Sequence, residues 1–263
     1  MFTLYKHEMK IHIKNLLIWT LGVGGMCFVC ILLFSSVKEG MSDMAESFAS
    51  MGAFSDAFGM SQLSIATLEG FYAAEVGTVH GLGGAMFAAM ISTVILSKEE
   101  DGHTGEFLFT LPVARGGVIT AKLGACITVI LLFNGICVGI YALGFGILGE
   151  SIELKKFLLF HLMQLLMQLE ITAVCFGMSA CMKKNKMGAG LGLVLLLYAY
   201  DLLVRVIPDM SDYKMFSPFC YANAADLFST GEIAVSSLLF GMLVLLAGIC
   251  TAYIVYSKRD LAV

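Results

Sequence analysis

Hydrophobic residues fall in six long runs parted by polar stretches, near 16–34, 77–97, 118–148, 157–182, 187–207 and 234–256. The third is uninterrupted only from Gly124 onward. A helix needs about 20 apolar residues to cross the hydrocarbon core. Helix is also the state that satisfies each backbone polar group within its own segment. The pattern predicts an all-α integral membrane protein of six transmembrane helices, read as a single membrane domain over 1–263. The first fifteen residues repeat differently. Phe2, Tyr5, Met9, Ile13 and Leu16 share one face at 100° per residue, with Lys6, Lys10 and Lys14 beside it. That predicts a separate cytoplasmic amphipathic helix over 1–15, lying in the headgroup plane. The apolar run behind it is too long for a signal-peptide core, so it reads as a retained span.

Composition changes the picture only by exclusion. Hydrophobic residues make up 59% of the chain and charged residues 14%, against about 25% charged in soluble domains. A soluble fold could not hide so much apolar surface. No basic face suited to nucleic acid stands out. Eight cysteines are present, most of them in or beside apolar runs. Cys27 and Cys30 have metal-site spacing but no second ligand pair, so neither a metal site nor a disulfide framework is expected.

Charge placement orients the spans. Lys6, Lys10, Lys14, Lys98, Arg115, Lys122, Lys183, Lys184, Lys186, Lys258 and Arg259 fall on one side. Lys38, Lys155, Lys156 and Lys214 fall on the other, and Arg205 lies inside a run. The excess alternates as it should for a multi-pass protein with both termini in the cytoplasm.

Catalytic strings are missing. The only near match to a phosphate-binding loop, Gly116-Gly-Val-Ile-Thr-Ala-Lys122, has the wrong spacing, and no H-E-x-x-H occurs. His80-Gly-Leu-Gly-Gly84 and Gly177-Met-Ser-Ala180 resemble hydrolase strings but lie in apolar spans, where glycines serve helix packing. No catalytic residue is expected. Intramembrane polar groups are costly and are functional candidates. His161, Gln164 and Gln168 share one face of the fourth span with Thr172, and Glu170 points the other way. These four, His161, Gln164, Gln168 and Glu170, either bond neighbouring helices or line a transport path. Asp201 and Arg205, four apart in the fifth span, read as a structural ion pair. Gly135-x-x-x-Gly139 and Gly188-x-x-x-Gly192 permit close helix approach.

The segment between the second and third spans is a charged exit, two glycines, a short amphipathic piece with Phe107, Leu108 and Leu111, and then Pro112, which breaks a helix. It predicts a short cytoplasmic surface helix suited to a soluble partner. Its residues carry a resemblance. Leu96-Ser-Lys-Glu-Glu-Asp-Gly102, Thr104-Gly-Glu-Phe-Leu-Phe-Thr-Leu-Pro-Val-Ala-Arg115 and Lys122 resemble the permease subunits of the type-2 ABC transporter superfamily. So do Glu69-Gly-Phe-Tyr72 and Ser217-Pro-Phe-Cys-Tyr221. The resemblance covers essentially the whole chain and departs at Ala114, where Ser is more usual.

The resemblance implies that the cytoplasmic helix is a coupling helix seated in an ATP-hydrolysing subunit. Glu100, Gly105, Glu106, Phe107, Leu108, Pro112 and Arg115 would belong to it. It further implies two copies of that ATPase, which would hold ATP and magnesium, and a second permease, identical or different. The assembly would be an exporter in a prokaryotic cell membrane, in contact with lipid. Its substrate would be amphipathic, such as an antibiotic, an antimicrobial peptide or a lipid. The alternatives are an ion- or proton-coupled secondary transporter using Glu170, His161 or Asp201, and a membrane-embedded enzyme.

Overall fold

The structure, a computed structural model, describes residues 1–59, 61–102 and 114–258. Six of its helices are long and apolar enough to cross a membrane, and they are numbered here in chain order. They are α1 (Phe2–Lys38), α2 (Leu68–Val94), α3 (Arg115–Leu148), α4 (Leu154–Cys181), α5 (Met187–Val206) and α6 (Val235–Lys258).

The expected separate amphipathic helix over 1–15 is not present. Phe2–Trp19 runs through a π-helical turn, Thr20–Gly24, into Gly25–Ala49, so the basic start belongs to the first spanning helix. The physical reason is local. No glycine or proline occurs between Phe2 and Leu21, so nothing stops the helix at the polar-to-apolar junction. The face assignment changes as well. Of the expected apolar face, Phe2 and Ile13 are exposed and Leu16 is buried, while the polar Glu8 and His12 are buried beside Leu16.

Helix α4 is central. It packs on α2, α3 and α6, while α1 packs on α3 and α5 on α2. The α4–α6 crossing depends on two glycines: a Cβ at Gly248 would lie 2.5 Å from the Ala173 carbonyl oxygen, and one at Gly177 would lie 2.8 Å from that of Gly248. Large aliphatic side chains point outward, with Leu21 77%, Leu196 72% and Leu243 65% exposed. Lipid makes that arrangement favourable, because tails are as apolar as leucine and packing selects small and polar residues for the inside.

Between α5 and α6 the chain turns back into the bundle. After a 3-10 stretch, Pro208–Phe216, come two short helices, Pro218–Tyr221 and Ala224–Ser229. Ser217 accepts from the Phe219 N–H and Asn223 from the Asp226 N–H, capping each in turn. Residues 217–222 are all buried, and the two short helices rest on α4.

Candidate functional site

Buried polar groups form a chain through the bundle, and α4 supplies its spine. His161, Gln164 and Gln168 recur at helical spacing and are 6%, 3% and 0% exposed. His161 Nε2 meets the Tyr72 hydroxyl at 2.8 Å. Its ring lies 5.1 Å, centroid to centroid, from that of His80 on α2. Asn134 Nδ2 on α3 donates to the Ile130 carbonyl at 2.9 Å and to Gln168 Oε1 at 2.7 Å. The backbone acceptor fixes the Asn134 amide, so Oδ1 faces His80 Nε2 at 3.2 Å. His80 Nε2 therefore carries the hydrogen and donates, and Nδ1 accepts from the Tyr141 hydroxyl at 3.0 Å. One connected array, His80–Asn134–Gln168 with Tyr141, thus ties α2, α3 and α4 together. A Cβ at Gly84 would collide with the Gln168 amide, which is why that amide can reach Asn134.

Gln164 does something else. Its Nε2 donates to the Ala222 carbonyl at 2.8 Å. Ala222 ends the short helix Pro218–Tyr221, so Gln164 satisfies a backbone group that the inward-turning segment would leave bare. A cavity of about 50 Å³ adjoins it, bounded by Thr78, Tyr198, Asp201 and Asn223. That is space for ordered water. Glu170 faces away from this stripe and accepts from the Tyr221 hydroxyl at 2.7 Å. Burial first, and then the neighbouring Glu170 carboxyl, push the Tyr221 phenol well above its ordinary value, so it stays a donor. Asp201 accepts from Arg205 Nε at 2.8 Å and from the Ser217 hydroxyl at 2.9 Å. Arg205 Nη1 also reaches Asp226 Oδ2 at 3.5 Å. The four α4 residues are therefore not one site: three face α2, α3 and the turn at Ala222, and Glu170 faces Tyr221.

The segment between α2 and α3 is described only at its two ends. Gly105, Glu106, Phe107, Leu108 and Pro112 lie outside the described residues. Glu100 is buried in the short helix Lys98–Asp101. Arg115 opens α3 and its Nη1 donates to the Ser257 carbonyl of α6 at 3.4 Å. Among the described residues no group of His, Cys, Asp or Glu could hold a metal ion.

A family model described as ABC-2 family transporter protein matches residues 2–261. The chain belongs to the ABC-2 transporter family. No curated protein matches it. The family is one of non-catalytic permeases, so this ABC-2 protein is a multi-pass membrane transport subunit and not an enzyme.

The ABC-2 chain also carries polar residues that sequence reasoning passed over. His80 was set aside as part of a glycine string, and Asn134 sits unmarked in an apolar run. Glu8 is wholly buried although three lysines of its own helix, Lys6, Lys10 and Lys14, are exposed. Its signal was the i, i+4 pairing with His12, a polar stripe inside an otherwise basic, lipid-facing helix.

Proposed function

We propose that this ABC-2 permease forms the membrane part of an ATP-driven exporter. Two permeases, identical or not, pair with two copies of a separate ATPase chain that holds ATP and magnesium. The segment containing Glu100, Gly105, Glu106, Phe107, Leu108, Pro112 and Arg115 couples ATP hydrolysis to transport. The single supporting observation is the family match across residues 2–261. The chain has no phosphate-binding loop, so energy has to enter through a contact. The lysine and arginine excess argues that this contact, and both termini, are cytoplasmic, and the resemblance argues for a prokaryotic cell membrane. The substrate class is an amphipathic compound, such as an antibiotic, an antimicrobial peptide or a lipid.

His161, Gln164 and Gln168 are read as holding helices together. Each is buried inside this one chain and bonded to its own neighbours. Asp201 and Arg205 are read as structural because they pair with each other, with Asp201 buried and Arg205 partly so.

The test is purification of the full chain from its own cells, followed by ATPase assay and ATP-dependent uptake into inverted vesicles. An ATPase should co-purify, and Glu106→Ala or Arg115→Ala should lower transport more than hydrolysis. A Phe107→Ala/Leu108→Ala pair should loosen assembly, since apolar anchors dominate interfaces. Transport driven by a proton gradient, with no ATPase present, would overturn the reading in favour of a secondary transporter.

A further inference from the structure

At the cytoplasmic end of the bundle one carboxylate joins three elements. Glu8 of α1 is 0% exposed. Its Oε2 meets Lys98 Nζ at 2.5 Å, and its Oε1 meets Lys122 Nζ at 2.9 Å. Lys98 begins the short helix that enters the cytoplasmic segment, and Lys122 lies two turns into α3, which leaves it. Lys122 is itself 0% exposed and reaches Glu99 Oε1 at 2.7 Å and the Ile95 carbonyl at 2.7 Å. His12 Nε2 lies 3.8 Å from Glu8 Oε2. Two lysines thus balance two glutamates: Glu8 and Lys122, wholly buried, are held by pairing, while Lys98 and Glu99 at the edge keep some contact with water.

Packing alone would not select this. A buried ion pair is often no more stabilising than apolar residues of similar volume, so its presence calls for a role beyond stability. The connectivity supplies one. A single side chain of α1 grips the segment's entry and exit together. A shift of either root relative to α1 separates charges in a desolvated place, whereas a shift of both roots with α1 separates none. The low-resistance motion is therefore the joint one.

We propose that Glu8, with Lys98 and Lys122, is a clasp that makes α1 move as one body with the coupling segment. The inference rests on the permease reading above and adds to it a set of positioning residues outside the segment itself.

The experiment uses the full chain with its co-purified ATPase in lipid nanodiscs. Thermal stability, the amount of ATPase bound, and kcat and KM for ATP are measured for wild type, Glu8→Gln, Lys98→Met and Glu8→Gln/Lys122→Met. Glu8→Gln should lower kcat about tenfold, the scale of an ordinary coupling interaction, with KM for ATP and bound ATPase unchanged. The double variant should regain thermal stability, because no uncompensated buried charge is left, while its kcat stays low. Lys98 is partly exposed, so Lys98→Met folds in any case and should give an intermediate kcat. Recovery of kcat together with stability in the double variant, or wild-type kcat in Lys98→Met, overturns the clasp and leaves the permease reading standing. Absence of any ATPase from the wild-type preparation overturns both.

Discussion

Removing Arg205 should harm this protein more than removing its partner Asp201. The asymmetry follows from what each group keeps. Asp201 is 4% exposed and has two partners, Arg205 Nε at 2.8 Å and the Ser217 hydroxyl at 2.9 Å. In Arg205→Met the partner that remains among the described residues is a neutral hydroxyl, and a buried carboxylate stripped of its counter-ion typically costs about 3–5 kcal/mol. In Asp201→Ala the guanidinium keeps Asp226 at 3.5 Å, and its side chain is 14% exposed, so water can reach it. The remaining loss there is of a charged hydrogen bond and of Ser217's acceptor, about 1–3 kcal/mol. The double variant removes both charges and should be no worse than Asp201→Ala. The chain carries its own reporter. Cys126, Cys137, Cys175 and Cys220 are free and buried, so once the accessible Cys30, Cys181 and Cys250 are replaced by serine a thiol-reactive fluorophore reads unfolding in detergent. Burial raises the Cys220 thiol above its ordinary value, which keeps that residue silent until the fold opens. Equal losses in the two single variants, or strictly additive losses in the double, would refute the argument, since contacting charges are expected to couple.

Three further outcomes follow from the packing and the charge placement. Gly248→Ala should lower the unfolding temperature, because its Cβ would meet the Ala173 carbonyl at 2.5 Å; overpacking of this kind costs about 1–3 kcal/mol. Gly135→Ala should leave the isolated chain's unfolding temperature unchanged, since nothing lies within 4 Å of that Cβ; cross-linking yield then tells whether this face meets a second permease. In a cysteine-free background, Asp212→Cys should react with an impermeant thiol reagent added outside whole cells and Lys184→Cys should not; the reverse pattern would invert the orientation.

The number of membrane-crossing helices was legible because a hydropathic run needs no tertiary information. The first helix was misjudged for the same reason. Periodicity marks Phe2, Tyr5, Met9, Ile13 and Leu16 as a face, but it cannot say how much of that side meets the interior, and only Leu16 of the five is buried. In water the apolar face would be inside. Here Phe2 is 67% and Ile13 55% exposed, while Glu8 and His12 are turned inward. A lysine four or eight residues from a partner is visible in sequence; Lys98 and Lys122 are separated from Glu8 by most of two spans, so only the fold could join them. Asp201 and Arg205, by contrast, are one turn apart, and their proximity could be read directly. Much of the segment between α2 and α3 was legible only as a resemblance, since its residues from Gly105 to Pro112 lie outside the described part of the chain.

The same inversion explains what the polar residues do at both ends of the bundle. Lipid contributes no hydrophobic force between helices, so polar contacts and close packing have to specify which helix meets which. Asn134 bonds Gln168, His80 bonds Asn134, and Gln164 bonds the carbonyl of Ala222. Each contact joins elements that leucine would join no better than lipid does. Each is also short-ranged and directional, so a helix sliding by one turn would strand a donor. At the end that holds Glu8, Lys98 and Lys122 the contacts become ionic, because each buried charge there is held next to its counter-charge. The bundle therefore holds a neutral hydrogen-bonded middle between charged groups at its two ends, Glu8 with Lys98 and Lys122 at one and Asp201 with Arg205 at the other. On the proposed clasp, motion that starts beside Lys98 and Lys122 meets its first resistance at Glu8, before the neutral middle is disturbed.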